Sequence, residues 1–267
     1  MVRRPAVAGS FYPGVRDRLR FQVEALWPKV AQPERAVGVV VPHAGFVYSG
    51  RVAAAAYAKV EFPDSVVILG PNHSGLGARA ALMTAGRWET PLGEVPLDTD
   101  LARAILASGA GIQDDPLGHL REHSIEVQLP FLQYFDRPFQ FVPICLLGQD
   151  FSLCQEVGQA VARAIMAASK RVLLVASTDM SHYISRAEAS RKDRMALEAI
   201  LALEPAELHR VVREEKISMC GFHPTTAMLI AAKALGATRA ELVVYTDSGE
   251  VTRTFDQVVA YAGLVVR

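Results

Sequence analysis

Cysteine is scarce in this chain. The three present in 267 residues, Cys145, Cys154 and Cys220, are an odd number with no CxxC spacing. That excludes a disulfide framework and an iron–sulfur triad, and a reducing cytoplasm is the expected compartment. Long apolar runs are absent too: no stretch of about eighteen apolar residues is available to span a bilayer. Met1 to Gly14 carries Arg3 and Arg4 but no continuous apolar segment after them, so it does not read as a secretory signal. Nor is there an excess of charge, since 28 basic residues balance 28 acidic ones. A nucleic acid or an anionic membrane held mainly by charge is therefore not an expected partner. No Ser/Pro-rich or charged spacer and no internal repeat divides the chain, which predicts one domain over residues 1–267.

What is there is a globular composition, 51% hydrophobic and 21% charged. Strand-length apolar runs alternate with segments of helical period, the pattern of an α/β fold. Ala36 to Val41 and Ser65 to Leu69 read as buried strands flanking a helix over Ser49 to Val60, a βαβ unit with a right-handed crossover. Gln140 to Leu147 and Arg171 to Ser177 repeat the strand signal around a helix from Leu153 to Ala168. Further helices are predicted over Ala187 to Leu203 and Thr225 to Leu235, and closing strands over Glu241 to Tyr245 and Gln257 to Val265. The Gly- and Pro-rich stretch Gly86 to Pro96 reads as a loop or a twisted hairpin.

Three of these strands run into polar residues. One continues into Pro42-His43-Ala44-Gly45, a second into Gly70-Pro71-Asn72-His73, and a third into Ser177-Thr178-Asp179-Met180-Ser181-His182. Ligands of open α/β sheets bind beyond the carboxyl ends of parallel strands, so parallel pairing would gather three histidines at one edge. A lone loop histidine is usually structural, and a lone cysteine is usually a small buried hydrophobe. Cys220 differs from Cys145 and Cys154, which read as core residues: it lies in Met219-Cys220-Gly221-Phe222-His223-Pro224, just before a helix. That setting predicts a lowered thiol pKa, suited to a nucleophile or a metal ligand. Glu122, His123, Ser124 and Glu126 open an apparent helix ending near Tyr134, with His123 and Glu126 three apart on one face. That segment reads equally as an acidic helix start or as part of a site. Gly70 to Gly77 matches neither the dinucleotide nor the P-loop fingerprint. Tyr12, Tyr48 and Tyr183 flank these loops, where packing is the default role for each.

In order along the chain stand Ala8-Gly9-Ser10-Phe11-Tyr12-Pro13, Pro42-His43-Ala44-Gly45, Gly70-Pro71-Asn72-His73, Glu122-His123-Ser124-Ile125-Glu126, Ser177 to His182 and Cys220 to Pro224. The series resembles the Memo family, whose bacterial and archaeal members are called the B protein of the AmmeMemoRadiSam system. The resemblance implies the fold of the class III extradiol dioxygenases (LigB-like): a central mixed, mostly parallel sheet flanked by helices. Those enzymes hold iron(II) through two histidines and a carboxylate. By motif, His43 and His73 take the histidine places and Cys220 the place of the carboxylate. His182 takes that of the acid/base histidine, with Asp179 beside it; His123, Glu126, His223 and Tyr48 are candidates for the cleft or the surroundings of the ligands. Iron(II) is the first expectation for the ion. A sulfur in place of a carboxylate also admits copper or zinc and removes the ground for expecting ordinary catechol cleavage.

Three functional classes follow. The first is a metal-dependent oxidoreductase acting on an unidentified substrate. The second is a tailoring component working with a radical-SAM protein and an AMMECR-type protein, and the third a non-catalytic module that binds a peptide or small ligand.

Overall fold

In the computed structural model, which describes residues 1–29, 33–109, 111–148 and 150–267, strands form where aliphatic and β-branched residues run unbroken. In chain order they begin with β1 (Val2–Arg3), β2 (Gly38–Val41), β3 (Ser65–Pro71), β4 (Ala80–Leu82), β5 (Arg87–Thr90) and β6 (Gly93–Pro96). They continue with β7 (Gln113–Asp114), β8 (Gln140–Leu146), β9 (Val172–Ser177), β10 (His182–Ile184), β11 (Ala240–Asp247) and β12 (Val258–Val266). The helices are α1 (Arg16–Leu26), α2 (Phe46–Tyr57), α3 (Thr99–Ser108), α4 (Leu129–Gln133) and α5 (Phe151–Ala167), then α6 (Arg186–Leu201), α7 (Pro205–Glu214), α8 (Phe222–Ala234) and the single turn α9 (Gly249–Thr252).

Among the described residues a nine-stranded sheet runs β10-β12-β2-β9-β3-β8-β4-β7, with β11 attached to β12. Its centre, β2, β9, β3 and β8, is parallel throughout. Its flanks turn antiparallel, β12 against β2, β10 and β11 on one side and β4 against β8 on the other. Side chains alternate across the sheet. Val40, Val67 and Leu69 therefore face a core shared with α3, α5, α6, α7 and α8. Val39, Val41, Val66 and Ile68 face a second core built on α1, α2 and α4. Each such aliphatic side chain contributes about 1.5–3 kcal/mol on full burial. Asp98, Asp150 and Ser185 cap α3, α5 and α6 by accepting the backbone N–H three residues on.

The expected α/β architecture is present, with three differences of substance. The strands of the anticipated βαβ unit, β2 and β3, are parallel but not neighbours, because β9 lies between them. Gly86 to Pro96 is the hairpin of the two readings given for it, β5 with β6, and the difference is that it takes on β1 to make a separate three-stranded sheet. The segment after Glu122 is not one helix: a 3-10 turn at Glu126–Gln128 precedes the short α4. The Glu122 carboxylate accepts the N–H groups of His123 and Ser124, which takes both out of a helical ladder. His123 and Glu126 accordingly do not share a helical face.

Candidate metal centre

Parallel pairing brings the carboxyl ends of β2, β3 and β9 to one edge of the sheet, where His43, His73 and Asp179 follow within a few residues. His123 reaches the same place from the loop ahead of α4. The ligand-capable atoms of His43, His73 and His123 all lie within 4.8 Å of one another. At metal–nitrogen distances of about 2.1 Å, two tetrahedral ligands of one ion stand about 3.4 Å apart, so a closure of up to about 1.4 Å brings all three onto a shared ion. The donor set fits a first-row transition metal.

Two glycines make this convergence sterically feasible. A Cβ on Gly70 in β3 would stand 2.5 Å from the Ser124 hydroxyl, and one on Gly221 would stand 2.4 Å from the Ser177 carbonyl oxygen. The loop carrying Glu122 and His123, and the loop carrying Cys220, close down on the strand ends only because those side chains are missing.

The hydrogen bonds decide which nitrogens are free. Ser177 Oγ donates to the Ser124 carbonyl at 2.6 Å and accepts from Gln128 Nε2 at 2.8 Å. Gln128 is oriented by a second donation, to the Pro42 carbonyl at 2.9 Å. With its one proton committed, Ser177 receives the 2.9 Å bond from His43 as an acceptor, so His43 carries its proton on Nδ1 and its Nε2 is a lone pair. Burial, reinforced by the neighbouring His123 and His73, holds the His43 pKa well below its usual 6.5. Burial lowers that of His123 as well. Both rings are thereby kept in the neutral form that binds metal.

Glu122 does the same for His73. Its carboxylate sits 2.9 Å from His73 Nδ1 and also accepts the His73 backbone N–H. Burial would raise the Glu122 pKa, but the bonds from His73 and Ser124 outweigh it and hold the carboxyl far below its ordinary value. An ionised acceptor on Nδ1 leaves His73 Nε2 free, the carboxylate–histidine arrangement that orients metal ligands.

Cys220 stands against one member of the cluster, with Sγ 3.2 Å from His43 Nε2, and accepts the Asp179 N–H at 3.3 Å. Because Nε2 bears no proton, the thiol donates to it. The lowered thiol pKa expected from a helix start is not found: burial, then the Asp179 charge, push it up. Asp179 is itself buried, which drives its pKa up to about 6 against the stabilising N–H of His43. His182 donates Nδ1–H to the Ser218 carbonyl at 2.9 Å and so keeps Nε2 as an acceptor.

His43, His73, His123, Asp179, His182 and Tyr48 line one cavity of about 610 Å³. Three sequence candidates do not line it, and Cys220, set behind His43, is one of them. Glu126 is turned to the N-terminal segment, where it pairs with Arg3 and accepts from Tyr12 at 2.5 Å. His223, in the first turn of α8, packs its ring on Phe222 and His209, with centroids 3.5 and 5.6 Å away. From sequence, Glu122 and Ser177 stand out only as members of their motifs, and Gln128 and Tyr261 do not stand out at all. The Glu122-His123 pair carried a readable signal. Tyr261, inside an apolar strand, carried none.

A family model described as Memo-like protein matches residues 3–265. A MEMO1 family protein of Methanopyrus kandleri is 43% identical, covering 100% of this chain and 99% of its own. Another, from Methanosarcina barkeri, is 44% identical over 99% of this chain and 100% of its own. Among solved structures, an uncharacterized protein of Escherichia coli superposes with a TM-score of 0.57 at 14% identity, over 86% of this chain and 99% of that one, a likeness of fold.

Proposed function

This chain belongs to the Memo family, and from that premise we propose that it is a metalloprotein in which His43, His73 and His123 hold one ion and Cys220 adjoins it. The observation that carries the reading is the meeting of three imidazoles, two of them oriented by Ser177 and Glu122, beside a cavity. Iron(II) is the first candidate for the ion, with copper and zinc next, since imidazole suits all three and the adjacent sulfur favours the softer two. Once bound, such an ion supplies Lewis-acid or redox chemistry at a position open to the cavity.

The reaction class proposed is oxidoreduction of an organic molecule admitted by that cavity. His182 is placed to take a proton from it at Nε2, because its Nδ1–H is spent on the Ser218 carbonyl. Asp179 fixes the His43 backbone by accepting its N–H at 2.8 Å and so holds the ring at its station. The radical-SAM and AMMECR-type partners and a cytoplasmic setting belong to the same proposal. No helix among the described residues is long and apolar enough to cross a membrane.

Elemental analysis of protein purified without oxygen tests the assignment. About one ion per chain is expected in the wild type, and loss of most of it in His43→Ala and in His73→Ala. Metal content unchanged in both variants sinks the reading. Comparing His123→Ala with Cys220→Ser then decides which side chain completes the set.

A further inference from the structure

Tyr261 is only 2% exposed, yet it lines the cavity that His43, His73 and His123 also line. It is brought there by strand periodicity: Val259 and Tyr261 lie two apart on β12 and both line the cavity, while Ala260 between them packs into the core on the other side of the sheet. Its hydroxyl has no hydrogen-bond partner among the described residues, unlike the buried Tyr12 and Tyr57 and the half-buried Tyr245, whose hydroxyls donate to Glu126, Gln128 and Asp193. The hydroxyl is not sealed in the core, since it is not one of the buried unpaired polar atoms among the described residues. It opens on the cavity and is available to whatever enters.

We infer that Tyr261 is a specificity-determining residue which donates a hydrogen bond to an uncharged oxygen of the ligand in this cavity. The inference rests on the reading of that cavity as the chamber that admits the ligand, with or without an ion in it. Tyr261 keeps its O–H proton and is able to donate it, because burial and then the Asp179 charge push its pKa above the usual 10. Among the described residues no lysine or arginine lines the cavity, whereas the Asp179 carboxyl does. A ligand carboxylate or phosphate would meet an acid there, with no side-chain cation to pair it. The remaining polar lining is hydroxyl and amide, from Ser248, Thr252 and Gln257, which suits alcohol, carbonyl or amide oxygens. Phe11, Tyr48 and Tyr183 supply ring faces against which a flat apolar body packs.

The test uses three probes sharing one ring: benzamide, ethylbenzene and benzoate, titrated by NMR into the full chain, metal-free and zinc-loaded. Benzamide is expected to bind the wild type and to lose about two- to tenfold in Tyr261→Phe, the range of one neutral hydrogen bond. Ethylbenzene is expected to bind both proteins alike, and benzoate to bind the metal-free protein more weakly than benzamide. Thermal stability and zinc content of Tyr261→Phe are expected to match the wild type, because the lost hydroxyl bonds no protein group. Equal benzamide affinity in the two proteins, benzoate binding as tight as benzamide without metal, or no binding by any probe would each overturn the inference. A wild type that binds no zinc but still discriminates the probes would sink the metal reading and leave this one standing.

Discussion

One buried carboxylate shows how a single residue sets the geometry around the candidate site. Asp193 on α6 is fully buried and accepts Ser181 N–H at 3.1 Å and Ser181 Oγ at 2.6 Å on one oxygen, and Tyr245 OH at 2.8 Å on the other. Ser181 lies between Asp179 and His182, so Asp193 pins the loop that carries both. Burial raises the Asp193 pKa above its ordinary 3.8, and the three bonds do not fully compensate. An acid whose folded pKa exceeds its unfolded one contributes most below the unfolded value and loses that contribution as pH rises through the folded value. Asp193→Asn keeps an oxygen for both Ser181 donors and offers an N–H to the Tyr245 oxygen, since a hydroxyl can accept as well as donate. The amide variant is therefore expected to be as stable as the wild type or more so at neutral pH, without the decline the wild type shows above about pH 4. Asp193→Ala, which strands the donors, is expected to cost about 1–3 kcal/mol. Urea midpoints at acid and neutral pH check both, and a neutral-pH loss in Asp193→Asn as large as in Asp193→Ala refutes the account.

At the scale of elements, what could be read from the chain is what local composition decides. Val39 to Val41, Val66 to Leu69 and Leu173 to Ala176 have no polar face, so their burial in strands followed directly, and the polar residues after them marked the functional edge. Three things were hidden. The insertion of β9 between β2 and β3 is a tertiary choice that no local pattern encodes. The helix α7 begins at Pro205, which fits the first turn of a helix but reads as a breaker in isolation. The place of His123 among the ligands was the third: it reads only as a cleft candidate while a helix gives it a face shared with Glu126, and the Glu122 carboxylate that draws in the following N–H groups breaks that helix.

That segment is held from outside by the N-terminus. Arg3 is 1% exposed, donates to the carbonyls of His119 and Glu122, pairs with Glu126 and lies 4.3 Å over the Trp88 ring. Removing one partner of a buried ion pair costs about 3–5 kcal/mol, because the other charge remains. Arg3→Met is expected to lose about that much and, by loosening the loop that carries Glu122 and His123, to weaken metal binding about 10–100-fold, the range for a lost supporting contact. Chemical denaturation and competition with a metal indicator measure the two effects. Undiminished metal affinity in a clearly destabilised variant would show that the latch supports the fold alone.

Over the whole molecule, the three imidazoles come from positions 43, 73 and 123, and Cys220 approaches from a fourth segment before α8. An ion there would tie together the ends of β2 and β3 and the loop before α4, segments that diffuse apart when the chain unfolds. Binding to the native state alone stabilises by about 2.7 kcal/mol at a hundredfold excess over Kd. For a chain of 267 residues that corresponds to a rise in melting temperature of roughly 5–10 °C. The rise is expected in wild-type protein on adding iron(II) without oxygen or zinc in air, and on chelation it is expected to vanish. His43→Ala, which loses the most buried of the three rings, is expected to melt at a temperature that responds to neither treatment. A full metal-dependent shift in that variant would place the ion elsewhere in the molecule, and the convergence of strand ends would then organise a cavity without holding an ion in it.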